Sequence, residues 1–335
     1  MSTTPQEIIQ VNNLRKTFKI RKRERGFAGA VKNLVRPKTE CKKAVDGISF
    51  QIREGEMVGF IGPNGAGKST TVKMLSGILY PDQGDIHVAG YIPCKQRKEY
   101  VAHIGVVFGQ KSQLLWELSP LDTFDLLKHI YKIPDKLYKE NLDRYVELLD
   151  MGSFLHQPVR QLSLGQRMRA DIAASLLHSP EIVFFDEPTI GIDVVGKEKI
   201  RSFLRELNRT DHITMIFTTH DMQDIEKTCE RLIIIDHGKK LYDGDLGTIR
   251  EKYVSNRIMD VDFEEVPASL SLDHVTVSDV KNHPNRKQLV FHTDQVPAGT
   301  LISELTNRYR IKDISVREPE IESIICDIYE GTIKI

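Results

Sequence analysis

The residues best suited to chemistry stand in a row: Gly62-Pro63-Asn64-Gly65-Ala66-Gly67-Lys68-Ser69-Thr70. Their spacing is Gly-x-x-x-x-Gly-Lys followed by Ser, the pattern of a loop that cradles phosphate groups. Glycines let backbone N–H groups converge on one concavity, and a helix starting there adds positive potential. Lys68 then reaches the β- and γ-phosphates of a nucleotide, and the Ser69 hydroxyl can ligate Mg²⁺. Met57-Val58-Gly59-Phe60-Ile61 is an apolar run that reads as a buried strand, and Thr71-Val72-Lys73-Met74-Leu75 reads as the first turns of a helix. Strand, Gly-rich loop and helix in that order are the context the motif needs.

Further residues with chemical potential follow downstream. Gln110 comes first. Leu162-Ser163-Leu164-Gly165-Gln166 opens a helical pattern. Ile182-Val183-Phe184-Phe185-Asp186-Glu187 is an apolar strand ending in two carboxylates, and Ile190-Gly191-Ile192-Asp193 follows at once. His220 ends the strand Ile213–Thr219. Each is weak alone. A carboxylate pair after a strand is more often a turn pair, a single His there is more often a surface or core residue, and one Gln carries no information. The ordered set is what gives Asp186, Glu187 and His220 meaning.

The elements that must position these residues are those of a soluble α/β protein. Hydrophobic residues make up 40% and charged residues 28%, enough for a sizeable core, and a length of 335 suggests two or three domains. Lys+Arg and Asp+Glu both count 47, so overall charge argues neither for nor against a nucleic-acid or anionic-membrane partner; no nucleic acid is expected. No run approaches the length of a membrane span, and no signal peptide is expected at the N-terminus. Cys41, Cys94, Cys229 and Cys326 are scattered without metal-ligand spacing, which fits a reducing setting. Strands are expected over 7–19 and 44–52, where Ile48, Phe50 and Ile52 alternate. Between them, from Arg15 to Lys43, twelve Lys/Arg face two Glu in a basic insert. Ile182–Phe185, Ile213–Thr218 and Leu232–Ile235 read as buried parallel strands. From about 112 to 178 helical patterning takes over at Thr123–Tyr131, Lys136–Leu149 and Gln166–Leu177. Beyond Tyr253 short strands (Ile258–Phe263, Leu289–His292, Ile314–Val316) and helices (298–308, 319–330) predict a small α+β domain without a chemical motif.

Taken together, the ordered motifs resemble the ATP-binding cassette (ABC) ATPases over residues 7–250. Gly62–Thr70 matches Walker A and Phe184–Glu187 matches Walker B. Gln110 matches the Q-loop, Asp193 the D-loop and His220 the switch histidine. Leu162–Gln166 matches the signature, with Leu164 where Gly is usual and with Ser163 and Gly165 kept. The resemblance implies ATP and Mg²⁺ as ligands. It assigns Ser69, Asp186 and Gln110 to Mg²⁺. It assigns Glu187, His220 and Gln110 to the attacking water, and Ser163, Gly165, Gln166 and Asp193 to the nucleotide of a facing subunit. Phe18 is the candidate to stack on adenine, although alone it reads equally well as a core residue. The implied fold is a P-loop NTPase ABC cassette of α/β class with an inserted helical subdomain, plus a small C-terminal α+β domain. The boundaries are 1–252 for the cassette, with the basic insert 15–43 and the helical subdomain about 112–178, and 253–335 for an accessory or regulatory domain.

Within the family, translation factors carry two cassettes per chain and chromosome-maintenance ATPases carry a long coiled coil; this chain has one cassette and no heptad run. A transporter subunit is left. It is expected to work as a homodimer or pseudo-symmetric dimer on integral membrane transporter subunits, peripheral at the cytoplasmic face of the cell membrane. Val106–Leu118, Thr189–Asp193 and the tail Arg317–Cys326 resemble bacterial type-2 exporters, and the basic segment before Ala44-Val45-Asp46 is similar to their multidrug and viologen branch. Export is therefore the expected direction. An importer ATPase and a non-transport regulatory ATPase of ABC type are the alternatives.

Overall fold

The computed structural model describes residues 6–21, 39–109, 111–253, 256–265, 270–280, 283–318 and 321–330. The chain divides into two compact units, Met1–Gly244 and Asp245–Ile335.

In the first unit, β1 (Glu7–Arg21), β2 (Thr39–Arg53) and β4 (Gln83–Val88) form an antiparallel sheet in the order β2-β1-β4. A second sheet runs β5-β6-β7-β3-β8-β9. Its members are β3 (Met57–Ile61), β5 (Ile104–Phe108), β6 (Ile182–Asp186), β7 (Thr214–Thr219), β8 (Arg231–Asp236) and β9 (Lys239–Asp245). Pairing is parallel from β5 through β6, β7 and β3 to β8. Parallel strands are covered on both faces, so they read as unbroken apolar runs. Every residue of β3, β6 and β7 is buried. Ile9, Leu14, Ile48 and Phe50 from the first sheet share one core with Phe60, Phe184, Ile216 and Ile233 from the second.

The helices in order are α1 (Lys68–Leu75), α2 (Arg97–Tyr100), α3 (Pro120–Tyr131), α4 (Asp135–Leu148), α5 (Leu164–Leu176), α6 (Val194–Asp211) and α7 (Met222–Thr228). No strand falls between 112 and 178 among the described residues, as the helical patterning predicts. Local signals fix the starts. Ser119 and Asp122 form a capping box ahead of α3, with Pro120 at the first helical position.

The basic insert differs from the expectation at both ends. Residues 15–21 and 39–43 are strand, because β1 and β2 stay paired in antiparallel register out to Arg21 and Thr39. Lys19, Glu40, Lys42 and Lys43 lie exposed on this ribbon, and Lys16 pairs with Asp82. Residues 22–38 lie outside the described residues.

The second unit holds α8 (Leu246–Tyr253), β10 (Asn256–Phe263), β11 (Val275–Asp279), β12 (Arg286–His292), α9 (Ala298–Arg308), β13 (Ile311–Arg317) and α10 (Ile321–Glu330). Its antiparallel sheet runs β11-β12-β10-β13. Met259, Val261, Leu289 and Phe291 on one face pack with Leu301 and Leu305 of α9. The α+β reading stands, and β11 is added to it.

Candidate functional site

The phosphate loop leaves β3 at Gly62 and enters α1 at Lys68. Gly67 caps that helix at φ 114°, and a Cβ there would lie 2.4 Å from the Ala44 carbonyl oxygen, so only glycine fits. The turn between β8 and β9 braces the loop from behind, with the Gly238 N–H donating to the Ala66 carbonyl at 3.0 Å. Lys68 is buried and donates to the carbonyls of Gly62 at 2.6 Å and Pro63 at 3.3 Å. Burial lowers its pKa below the ordinary lysine value, and the charges of Glu187 and Asp186 work against that shift.

The carboxylates meet this loop through sheet register. Parallel pairing sets Asp186 beside Thr218 of β7 and beside Phe108 of β5. Ser69 Oγ donates to Asp186 Oδ1 at 2.9 Å, and Thr218 Oγ1 donates to the same oxygen at 2.8 Å. The next residue, Glu187, has φ 56°, a conformation few non-glycine residues adopt. Its N–H donates to the Thr218 carbonyl at 3.0 Å and to Thr218 Oγ1 at 3.1 Å. Gly109 accommodates the turn, because a Cβ there would lie 2.0 Å from the Glu187 carbonyl oxygen. His220 Nδ1 stands 3.7 Å from Glu187 Oε1.

Two neighbouring cavities result. One of about 420 Å³ is lined by Phe18, Asn64, Gly65, Lys68, Ser69 and Glu187. Another of about 400 Å³ is lined by Asn64, Ser69, Phe108, Gly109, Asp186 and Glu187. Phe18 thus reaches the phosphate loop from β1, opposite Lys42 of β2, which lines the same cavity. Thr70 lines it as well. Pro63 and Ala66 contribute backbone, Pro63 accepting from Lys68 and Ala66 from Gly238. Gln110 lies outside the described residues.

The signature residues and Asp193 line neither cavity. Ser163 and Gln166 form a capping box at the start of α5, each side chain accepting from the other's backbone N–H. Leu164 packs over Gly191, whose Cβ position is 2.9 Å from Leu164 Cδ2, and Gly165 faces Ile192. Asp193 caps α6 by accepting from the Gly196 N–H at 2.6 Å.

Sequence reasoning passed over several residues. Thr218 is one, and its only sequence signal is its place two residues before His220. Arg201 and Asp224 are others. Arg201 Nε donates to Asp224 Oδ1 at 2.6 Å, and both side chains are almost wholly buried. Thr189 donates to Asp224 Oδ2, and Thr219 Oγ1 does so at 3.3 Å. One buried carboxylate thereby ties together the segments after Glu187, before His220 and within α6.

A family model described as ABC transporter matches residues 45–190. An uncharacterized ABC transporter ATP-binding protein, YhcH, of Bacillus subtilis (strain 168) is 30% identical over 81% of this chain and 87% of its own. The linearmycin resistance ATP-binding protein LnrL of the same organism is 29% identical over 88% of this chain and 96% of its own. Among solved structures, a dimeric ATP-binding cassette in a post-hydrolysis state bound to ADP and Pi superposes with a TM-score of 0.59 at 26% identity, covering 71% of this chain and 98% of that one. With the phosphate loop, the Asp186–Glu187 strand end and this likeness together, the chain belongs to the ABC transporter family as an ATP-binding, ATP-hydrolysing subunit.

Proposed function

We propose that this ATPase subunit powers an exporter, working as a head-to-tail dimer under separate membrane subunits at the cytoplasmic face of the cell membrane. The observation that carries the ATPase mechanism is the Ser69–Asp186 hydrogen bond of 2.9 Å at the mouth of the phosphate loop, with Glu187 beside it. These two oxygens fit Mg²⁺, a hard cation held by one or two carboxylates while phosphate and water fill the other positions. Among the described residues no group of three or more His, Cys, Asp or Glu is placed to hold a metal ion, and a Mg²⁺ that arrives with a nucleotide needs none. When bound, Mg²⁺ would neutralise charge on the β- and γ-phosphate oxygens.

The protein's own groups divide the remaining work. Gly62–Thr70 cradles the phosphates with backbone N–H groups, and Lys68 turns from the loop carbonyls to the γ-phosphate. Glu187 accepts the proton of the attacking water as general base. His220 and Gln110 hold that water and the γ-phosphate in line. Phe18 stacks on the adenine. Ser163, Gly165, Gln166 and Asp193 serve the nucleotide of the facing subunit, so that two ATPs lie between two chains. Leu164 packs on Gly191, and the Ser163 hydroxyl, which accepts from the Gln166 N–H, keeps its own proton for that contact. Residues 1–252 act as the cassette and 253–335 as an accessory domain that supports or regulates dimerisation.

No helix of the described residues is long and apolar enough to cross a membrane, which supports a separate pathway subunit. Export is favoured by relatives named for linearmycin and daunorubicin resistance. Import is the second reading, favoured by relatives named for methionine import and zinc uptake. Vesicles carrying the complex with the cassettes outward decide between them. Export predicts ATP-driven accumulation of a stimulating compound inside, and ATP-driven loss from preloaded vesicles would establish import.

A further inference from the structure

A buried hydroxyl connects the Asp186 carboxylate to the backbone of Glu187, two residues to which different tasks fall. Thr218 is fully buried at 0% exposure on β7. Its Oγ1 donates to Asp186 Oδ1 at 2.8 Å and accepts the Glu187 N–H at 3.1 Å. A hydroxyl has one proton to give, and here it goes to the carboxylate that Ser69 also meets. The resulting chain runs Glu187 N–H, Thr218 O–H, Asp186 carboxylate, Ser69 O–H. Glu187 sits at φ 56°, which costs free energy for any residue that carries a Cβ and persists only when neighbours hold it. The Thr218 carbonyl and hydroxyl are the two acceptors that hold its N–H.

We propose that Thr218 is a positioning residue for ATP hydrolysis, whose hydroxyl locks the Asp186 carboxylate and the left-handed Glu187 backbone to each other. The inference rests on the roles given above to Asp186 and Glu187. Its content is that the orientation of the Asp186 carboxylate and the direction in which Glu187 faces the water are tied to each other through one shared atom. Removing the atom loosens both without unseating the loop, because Glu187 keeps the Thr218 carbonyl and Asp186 keeps Ser69.

The test compares Thr218→Val, which keeps the shape and loses the hydroxyl, with Thr218→Ser, which keeps the hydroxyl and loses the methyl. In the full-length protein, Thr218→Val should lower kcat by about 10–100-fold, the range for a lost hydrogen bond to a charged group. Its ADP affinity in EDTA should stay at the wild-type value, while the gain in ADP affinity on adding Mg²⁺ shrinks several-fold. Thr218→Ser should recover both. A packing role predicts the reverse order, with Ser impaired and Val normal, and that order overturns the proposal. If Thr218→Val does not fold, Thr218→Ser decides alone: kcat within about threefold of wild type supports the hydroxyl, and a tenfold loss refutes it. Glu187→Gln runs in parallel. If it hydrolyses ATP normally, the reading of the site has failed; if it is inactive while Thr218→Val is normal, only the role of Thr218 has failed.

Discussion

His220 Nδ1 and Glu187 Oε1 stand 3.7 Å apart, too far for a direct hydrogen bond and close enough to bracket one water proton between them. The two residues come from the ends of adjacent strands, β7 and β6, so sheet register sets their spacing. If Glu187 is the base, Glu187→Gln keeps nucleotide binding and lowers turnover by roughly 10²–10⁴-fold. ATP that is bound and not cleaved should then hold two chains together, which sizing chromatography with and without ATP measures. His220→Ala should also lower turnover without loss of nucleotide affinity. Wild-type turnover in Glu187→Gln would remove Glu187 from the base role.

Phe18 gives a prediction about affinity rather than rate. It is partly exposed on the β1–β2 ribbon and lines the cavity above the phosphate loop. Stacking of an aromatic ring on a base contributes about 1–3 kcal/mol. Phe18→Ala should raise the ATP Kd by about 5–150-fold, and Phe18→Tyr should leave it close to wild type. Titration with a fluorescent ATP analogue reads both. Equal affinity in all three proteins would return Phe18 to an ordinary surface role.

The buried pair Arg201–Asp224 concerns stability. Asp224 is 0% exposed, and Arg201 is 3% exposed. Asp224→Ala leaves the guanidinium buried, with Glu198, 3.4 Å from Nη1, as its remaining ion-pair partner among the described residues. Breaking one side of such a pair costs about 3–5 kcal/mol. Urea denaturation should show a loss of that size, and the double variant Arg201→Met with Asp224→Leu should recover the part due to the stranded guanidinium but not the part due to the Thr189 and Thr219 hydroxyls, which still lack Asp224 Oδ2. A loss below about 1 kcal/mol for Asp224→Ala would mean that water reaches the guanidinium.

What the sequence made legible depended on whether a task dictates local spacing. The phosphate loop was readable because its residues must converge over one turn. Buried parallel strands were readable because both faces are apolar. By contrast, β4 shows only Ile86 and Val88 to the core, and Gln83, Gly84, Asp85 and His87 are exposed, too short a pattern to read as alternation. The outer ends of β1 and β2 were hidden by their charges. Thr218 matters only through its register with Asp186, and Arg201 only through a fold that brings it to Asp224. Such partners are far apart in sequence and have no fixed spacing. Ser163 and Gln166 belong to a motif and to a helix cap at once, and the sequence shows both patterns without ranking them.

Asp171 supplies a pH dependence. It lies on α5, accepts from the Gln113 N–H at 2.9 Å, and its own carbonyl accepts from Gln113 Nε2 at 3.0 Å. It therefore anchors the segment that follows Gln110 to the helix that the signature opens. Burial pushes its carboxyl up to about 6, against hydrogen bonds from Ser112 and Gln113 that favour the charged form. An unfolded aspartate titrates near 3.9, so the folded state binds this proton more tightly. The stabilisation is complete below pH about 4 and is lost as pH rises through about 6. The full span is about 3 kcal/mol, of which about 2 kcal/mol falls between pH 4.5 and 7.5. Asp171→Asn carries no such proton. Its unfolding free energy relative to wild type should rise by about 2 kcal/mol between those two pH values, as measured by urea denaturation. A difference that stays constant with pH would show that Asp171 titrates at an ordinary value and that its carboxylate is held ionised by the segment it anchors.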